Sequence, residues 1–170
     1  MNNKIIIGLT NPKSPSNVGA VLRAAGCFGA EQILYTGNRY DIAKKHYTDT
    51  QNVIESIDMR RVEDFLENKP EETKLICVDL VEGAIPLPMF EHPDNAMYLF
   101  GPEDGSLKQE IINKADHVVY MPTKGSLNLA ASVNVVLYDR ISKSQQFVMD
   151  NELIKESRDV NNRLRVNNEI

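Results

Sequence analysis

The chain has 170 residues and a formal net charge of −5, with 42% hydrophobic and 25% charged residues. This length suits one domain with a buried core, and the composition excludes disordered, collagen-like and low-complexity chains. No apolar run approaches the roughly 20 residues of a membrane span, and the apolar start is too short for a signal peptide, so we expect neither a membrane anchor nor a leader.

The first predicted elements form a strand–helix–strand unit. Residues 5–9 are a short β-branched run that is typical of a buried strand. Ser16 or Asn17 is a suitable N-cap for a helix that ends at Phe28 and has apolar residues at helical spacing. A second strand follows at 32–35. This order within about 30 residues is typical of a parallel α/β sheet.

The later elements continue the α/β pattern. Apolar runs predict strands at 75–80, 96–100 and 117–121. A helix at 106–114 should link the last two strands, and a long helix should span 128–142 with small residues at its start.

The remaining segments are polar and give weaker patterns. Residues 41–70 have one candidate helix, at 62–68. The final segment, 151–170, is a polar tail that is a candidate helix. We therefore expect one domain over residues 1–150 and a short tail over 151–170.

The cysteines and histidines indicate neither a disulfide framework nor a metal site. Cys27 and Cys77 lie in apolar stretches, and we expect both to be buried thiols in a reducing cytoplasm. His46, His92 and His117 are scattered without the spacing of metal ligands.

The negative charge is concentrated in the middle of the chain. Residues 1–45 hold six basic and two acidic side chains, residues 46–118 hold six and sixteen, and residues 119–170 hold seven and six. The negative net charge of the chain argues mildly against a nucleic-acid ligand, because proteins that bind nucleic acid usually have a basic surface. Both ends are mildly basic, however, so a local anion-binding surface remains compatible with the total.

Three loops that follow predicted strands are rich in polar residues and glycine, and open α/β sheets place ligands at such loops. The first, 11–19, leads into the helix that carries Arg23. A helix N-terminus offers unpaired N–H groups and partial positive charge, which suits a phosphate. Arg23 lies four residues after Gly19, one turn along the same face. The alternative is a capped helix with one solvated arginine.

The second and third loops are ambiguous when each is taken alone. The second, 99–107, has two glycines and a proline, which require special backbone geometry, and places Glu103 near a strand end. The third, 121–132, offers Ser126 and Asn128 as caps for the long helix. Taken alone, the second loop is better explained as a turn with two exposed carboxylates, and the alternative for the third is a capping arrangement.

In this order and spacing, the three loops resemble the motifs of the SpoU/TrmH family of RNA 2′-O-ribose methyltransferases, in the SPOUT superfamily. The motifs are Asn17-x-Gly19-x-x-x-Arg23, Phe100-Gly101-Pro102-Glu103-x-Gly105, and Ser126-Leu127-Asn128-Leu129-Ala130 followed by Val136-Leu137-Tyr138-Asp139. The resemblance covers roughly residues 4–142. Two positions depart from it, because Asp104 alone separates Glu103 from Gly105, and Asp139 replaces the usual glutamate.

The resemblance implies a mostly parallel sheet flanked by helices, with a deep trefoil knot in its C-terminal part. The pattern alone would predict an ordinary doubly wound sheet, because true knots are rare. The family binds S-adenosylmethionine in the knot and not at a Gly-x-Gly-x-x-Gly turn, and no such turn follows residues 5–9. By position, the cofactor should meet backbone groups at Leu99, Gly101, Met121, Ser126 and Leu129.

The same resemblance implies residue roles. The catalytic residues would be Arg23, Glu103 and Asn128, and RNA would contact Asn17 and Ser126. Lys13 lies outside the motifs and is a candidate contact for an RNA phosphate, with a solvated surface charge as the slightly favoured alternative. In the family, the first-motif arginine is proposed to assist deprotonation of the ribose hydroxyl. A guanidinium rarely gives up its proton, so Arg23 can instead stabilise the developing alkoxide and hold a phosphate. We expect Glu103 and Asn128 to orient Arg23 and the ribose.

Finally, the resemblance implies a homodimer in which the long C-terminal helix packs against its twin and RNA lies across both subunits. Four apolar positions of this helix fit such an interface or a core face: Val133, Val136, Leu137 and Ile141. The short chain favours tRNA over rRNA as the substrate. The alternatives are an rRNA methyltransferase and a knotted RNA-binding protein that has lost methyl transfer.

Overall fold

The computed structural model describes residues 4–45, 57–144 and 150–166. Within these ranges there are seven strands: β1 (Ile5–Leu9), β2 (Gln32–Tyr35), β3 (Asp58–Arg61), β4 (Lys74–Val78), β5 (Ile85–Pro86), β6 (Ala96–Phe100) and β7 (His117–Tyr120). They form one sheet in the order β3-β2-β1-β6-β4-β7-β5, with parallel neighbours throughout. The predicted mostly parallel sheet is confirmed.

Helices flank this sheet, as predicted. In the described part of the chain they are α1 (Pro15–Phe28), α2 (Arg39–Lys44), α3 (Gln109–Ile112), α4 (Leu129–Lys143) and α5 (Asn151–Ser157), and a 3-10 turn spans Leu87–Met89. None of the described helices has the length and apolar content needed to cross a bilayer.

The sheet separates two apolar cores. The central strands β1 and β6 are buried along their whole length, as is usual where helices or loops cover both faces of a parallel sheet. On one face, α1 and α4 pack together and contribute Val21 and Val136 to the core. On the other face, Phe65 packs with Cys77 and Leu99. Packing on the first face thus holds α1 and α4 together beside the loops of the sheet.

The start of α1 lies earlier than the sequence pattern predicts. Ser14 is the N-cap and its Oγ accepts a hydrogen bond from the backbone N–H of Asn17, so the predicted cap at Ser16 or Asn17 is wrong. Pro15 then occupies the first helical position, where its fixed φ suits the helix and its missing N–H costs nothing. The helix ends at Gly29, whose φ of 71° is left-handed.

Other differences have local causes. Residues 62–68 form turns and not the predicted helix. Here the Asp64 carboxylate accepts the N–H of Leu66 at 2.6 Å, a side-chain turn that competes with helix formation. The predicted strand 75–80 ends at Val78, and the predicted helix 106–114 shortens to α3.

The prediction of two buried cysteines is wrong for Cys27. Cys77 is buried within β4, whereas Cys27 is exposed. Gly19, Arg23 and Cys27 recur every fourth residue and share the exposed face of α1. The core-facing stripe of α1 begins instead at Val18.

In the predicted tail, residues 151–157 form α5, and the apolar side chains of Ile154, Val160 and Leu164 are exposed. The division into a domain over 1–150 and a tail over 151–170 stays a prediction. His46 lies outside the described residues.

Candidate functional site

A cavity of about 210 Å³ lies at the carboxyl ends of β4, β6 and β7, beside the start of α4. Its lining comes from the first turn of α1 and the segments that follow these three strands: Asn17, Val78, Asp79, Leu80, Phe100, Gly101, Pro102, Glu103, Gly105, Met121, Thr123, Ser126, Leu127, Asn128, Leu129 and Ser132. This is the edge at which open α/β sheets place ligands. The three loops singled out by the sequence therefore meet at one cavity.

Glu103 joins the loop after β6 to the start of α1. Its Oε2 accepts the backbone N–H of Lys13 at 2.9 Å, and its Oε1 accepts the N–H of Ser14 at 3.0 Å and Asn17 Nδ2 at 3.4 Å. Partial burial acts to raise the pKa of Glu103, but these hydrogen bonds outweigh it and hold the pKa below its usual range. The loop N–H groups that we expected to meet a phosphate thus bind this carboxylate.

Arg39 fixes the same two loops from α2. Its Nη1 donates to both oxygens of Asp104 at 2.9 and 2.8 Å, while Nη2 and Nε donate to the carbonyl oxygen of Asn11 at 2.6 and 3.1 Å. The hydrogen bond from Arg39 holds the pKa of Asp104 below its usual range.

The backbone around Asn11 has an unusual conformation, because Asn11 has a left-handed φ of 43°. Gly37 has a left-handed φ of 74°, and a Cβ there would collide with the side chain of Asn11, so this position requires glycine.

Asp79 anchors the far end of the loop after β6. Its Oδ1 accepts the N–H of Leu80 and its Oδ2 accepts the N–H of Leu107, both at 2.8 Å. Sequence reasoning missed Asp79 and Arg39. Neither residue belongs to a family motif. Asp79 and Leu107 are 28 residues apart in the chain, and Arg39 and Asp104 are 65 residues apart.

The third loop leads into α4. The Asn128 side chain caps this helix, because its Oδ1 accepts the N–H of Ala131 at 2.7 Å. In the turn before it, the hydroxyl of Thr123 donates to the carbonyl oxygen of Gly125 at 2.6 Å. Asn128 and Ser126 line the cavity and are exposed.

Most of the predicted site residues line the cavity, but three do not. Those that line it are Asn17, Gly101, Glu103, Met121, Ser126, Asn128 and Leu129. Leu99 is outside the lining, with its side chain 1% exposed in the core. Lys13 is exposed at the rim, 3.9 Å from Asp104.

Arg23 also lies outside the lining, on the exposed face of α1. The structure does not place Glu103 or Asn128 against it, because Glu103 holds residues 13–17 and Asn128 caps α4. The role of these two side chains in orienting Arg23 and the ribose stays a prediction. Arg23 is available on the surface to a ligand that approaches from outside.

The end of the third motif belongs to a buried polar network on α4. Asp139 Oδ2 lies 2.9 Å from Nε2 of His92, and Nδ1 of His92 lies 2.6 Å from the hydroxyl of Tyr98. The Asp139 carboxylate can only accept, so Nε2 of the neutral His92 donates to it and Nδ1 accepts from the hydroxyl of Tyr98. Arg140 donates to the same hydroxyl at 3.0 Å. Burial lowers the pKa of His92 and raises the pKa of Tyr98 to about 12. The network fixes α4 to β6.

The long helix presents two different faces. Val133, Val136 and Leu137 are buried against the sheet and belong to the core. Val135 and Tyr138 are exposed on the other face. In the described ranges, no three His, Cys, Asp or Glu side chains come close enough to hold a metal ion.

Comparisons with known proteins agree with this arrangement. The profile of the SpoU rRNA Methylase family matches residues 4–138. The tRNA (cytidine-2′-O-)-methyltransferase TrmJ of Methanocaldococcus jannaschii is 26% identical over 156 residues, which are 82% of this chain and 68% of that protein. The 23S rRNA (guanosine-2′-O-)-methyltransferase RlmB of Acinetobacter baylyi is 23% identical over 144 residues, which are 79% of this chain and 58% of that protein.

Solved structures share the fold. The AdoMet-bound rRNA methyltransferase from Sinorhizobium meliloti has a TM-score of 0.70 at 20% identity, covering 84% of this chain and 57% of that chain. The SpoU methyltransferase AviRb from Streptomyces viridochromogenes has a TM-score of 0.66 at 22% identity, and the match covers 84% of this chain and 62% of that chain. The chain thus spans between about half and two thirds of the length of these relatives.

Proposed function

This chain belongs to the SpoU rRNA Methylase family, and from that premise we propose that it transfers a methyl group from S-adenosylmethionine to a ribose 2′-hydroxyl of RNA. The observation that carries the proposal is the meeting of the three motif loops, since residues of all three line one cavity at the carboxyl edge of the sheet. Two relatives are named as 2′-O-methyltransferases of tRNA and of 23S rRNA.

The cavity suits the proposed methyl donor. Its apolar lining, which includes Phe100 and Leu129, can pack against an adenine, and backbone groups around Gly101 can read its edge. Among the described lining residues two are acidic and none is basic, which suits a donor with a net positive charge. When bound, S-adenosylmethionine supplies a methyl group that is already activated on a sulfonium.

The residues of the chain must then orient the ribose and manage the proton of its hydroxyl. Arg23 is exposed and reaches RNA from outside the cavity, where a guanidinium can hold a phosphate and stabilise an alkoxide. Asn17 and Ser126, at the cavity wall, contact the ribose or its phosphate. Glu103 keeps Asn17 and the start of α1 in place.

The proposal extends to assembly and substrate. The protein acts in the cytoplasm as a knotted homodimer, and the exposed side chains of Val135 and Tyr138 support pairing through α4. The substrate is tRNA in preference to rRNA, which is supported by the greater coverage of the tRNA-modifying relative.

The test compares cells with and without the gene. Nucleosides from purified tRNA and rRNA are separated and their 2′-O-methylated forms measured by mass spectrometry. We expect one 2′-O-methyl nucleoside of tRNA to disappear without the gene and to return when it is restored. A loss confined to rRNA would overturn the tRNA preference, and unchanged nucleosides in both RNAs would overturn the proposed activity.

A further inference from the structure

The charge of the cavity is one-sided. Among the described residues that line it, Asp79 and Glu103 are negative and none is positive. Attraction between opposite charges is stronger where protein atoms replace part of the water. The cavity therefore favours a cation over a neutral ligand of the same shape.

The two carboxylates differ in the donors that they already bind. Glu103 accepts three hydrogen bonds from residues 13–17, so its oxygens are directed at the start of α1. Asp79 accepts one backbone N–H on each oxygen, from Leu80 and from Leu107. Each Asp79 oxygen keeps a further acceptor position. Within the described chain, no basic side chain forms an ion pair with Asp79.

We infer that Asp79 makes the cavity distinguish S-adenosylmethionine from S-adenosylhomocysteine, the product left after methyl transfer. The inference rests on the proposed function. The donor carries a sulfonium and an ammonium against one carboxylate, whereas loss of the methyl group leaves a neutral thioether and no net charge. Asp79 stabilises the complex with the donor more than the complex with the product, so the product is readily exchanged for a new donor.

The test is Asp79→Asn, which preserves the size of the side chain and removes its charge. Calorimetry measures the affinity of the purified protein for each ligand separately. We expect the affinity for S-adenosylmethionine to fall about tenfold and that for S-adenosylhomocysteine to fall about threefold or less. A variant that merely loosens the loop after β6 would lose affinity for both ligands equally, and that result would overturn the inference.

Asp116→Asn is the matched control. Asp116 accepts the N–H of Leu75 at 2.8 Å and pairs with Lys74 at 2.9 Å, at the opposite end of β4 from the cavity. Its loss should lower stability and leave the ratio of the two affinities unchanged. A change in the ratio equal to that of Asp79→Asn would contradict a specific role for Asp79.

A measurement on the unaltered protein covers the case in which Asp79→Asn does not fold. Raising sodium chloride from about 50 mM to about 500 mM should weaken binding of the cationic donor more than that of the neutral product, because salt screens charge attraction. Equal weakening would contradict the inference. If the unaltered protein binds neither ligand, the proposed function itself fails. If both bind and the ratio is insensitive to Asp79, only this inference fails.

Discussion

Replacing Glu103 by alanine breaks the link between the loop after β6 and the start of α1. The change removes the acceptor of two backbone hydrogen bonds, at 2.9 and 3.0 Å, and of a weaker one from Asn17. A hydrogen bond to an ionised group contributes about 1.5–3 kcal/mol when buried. Because this carboxylate is only half-buried, water replaces part of the loss, and we expect the free energy of unfolding to fall by about 2 kcal/mol.

Urea denaturation measures this loss directly, and thermal unfolding should show a drop of about 4–8 °C for a domain of this size. Methyl transfer should fall much further than the affinity for S-adenosylmethionine, since Glu103 is directed at α1 and holds Asn17. Glu71→Ala is the control, because Glu71 is exposed. If Glu103→Ala matched this control in both stability and activity, the carboxylate would not be the anchor that the structure indicates.

Four further predictions follow from single groups. Arg23→Ala should abolish methyl transfer while calorimetry finds the affinity for S-adenosylmethionine within about twofold of the original, because Arg23 is outside the cavity; surviving activity would refute its role. Tyr98→Phe should lower the free energy of unfolding in urea by about 2 kcal/mol, because Arg140 and His92 lose a buried partner; a loss near zero would refute the network. Burial lowers the pKa of His92 below its ordinary value, so the unfolded chain takes up the proton first and the free energy of unfolding should fall as the pH is lowered through the ordinary histidine range; His92→Gln should flatten this slope in urea midpoints, and an unchanged slope would exclude His92 as its source. Tyr138→Glu should convert the proposed dimer to monomers in light scattering, because a two-fold interface sets the new charge near its own copy; a dimer that persists would place the interface elsewhere.

The central strands could be predicted because burial on both faces leaves a continuous apolar run, as in 5–9 and 96–100. The edge strand β3 could not, because three of its four residues are exposed and it shows no such run. The start of α1 was misplaced because Ser14, Ser16 and Asn17 are all good caps, and Pro15 decides among them.

The sequence motifs identified residues of the candidate site, but they did not show which groups these residues contact. Glu103 and Asn128 were identified from the order of the loops, but their observed partners, residues 13–17 and the first turn of α4, came only from the fold. Arg39 and Asp79 have no local sequence signal, because an ion pair or loop anchor between distant segments depends on the topology of the sheet. The burial of Leu99 depends on which face of β6 it occupies.

The central claim is methyl transfer to a ribose hydroxyl, and an assay with purified components tests it most directly. The protein is incubated with S-adenosylmethionine carrying a deuterated methyl group and with tRNA from cells that lack the gene. Mass spectrometry of the digested nucleosides then locates the label. We predict a deuterated methyl group on the ribose of one nucleoside of tRNA. Label on a base, or no label in any RNA although S-adenosylmethionine binds, would contradict the claim.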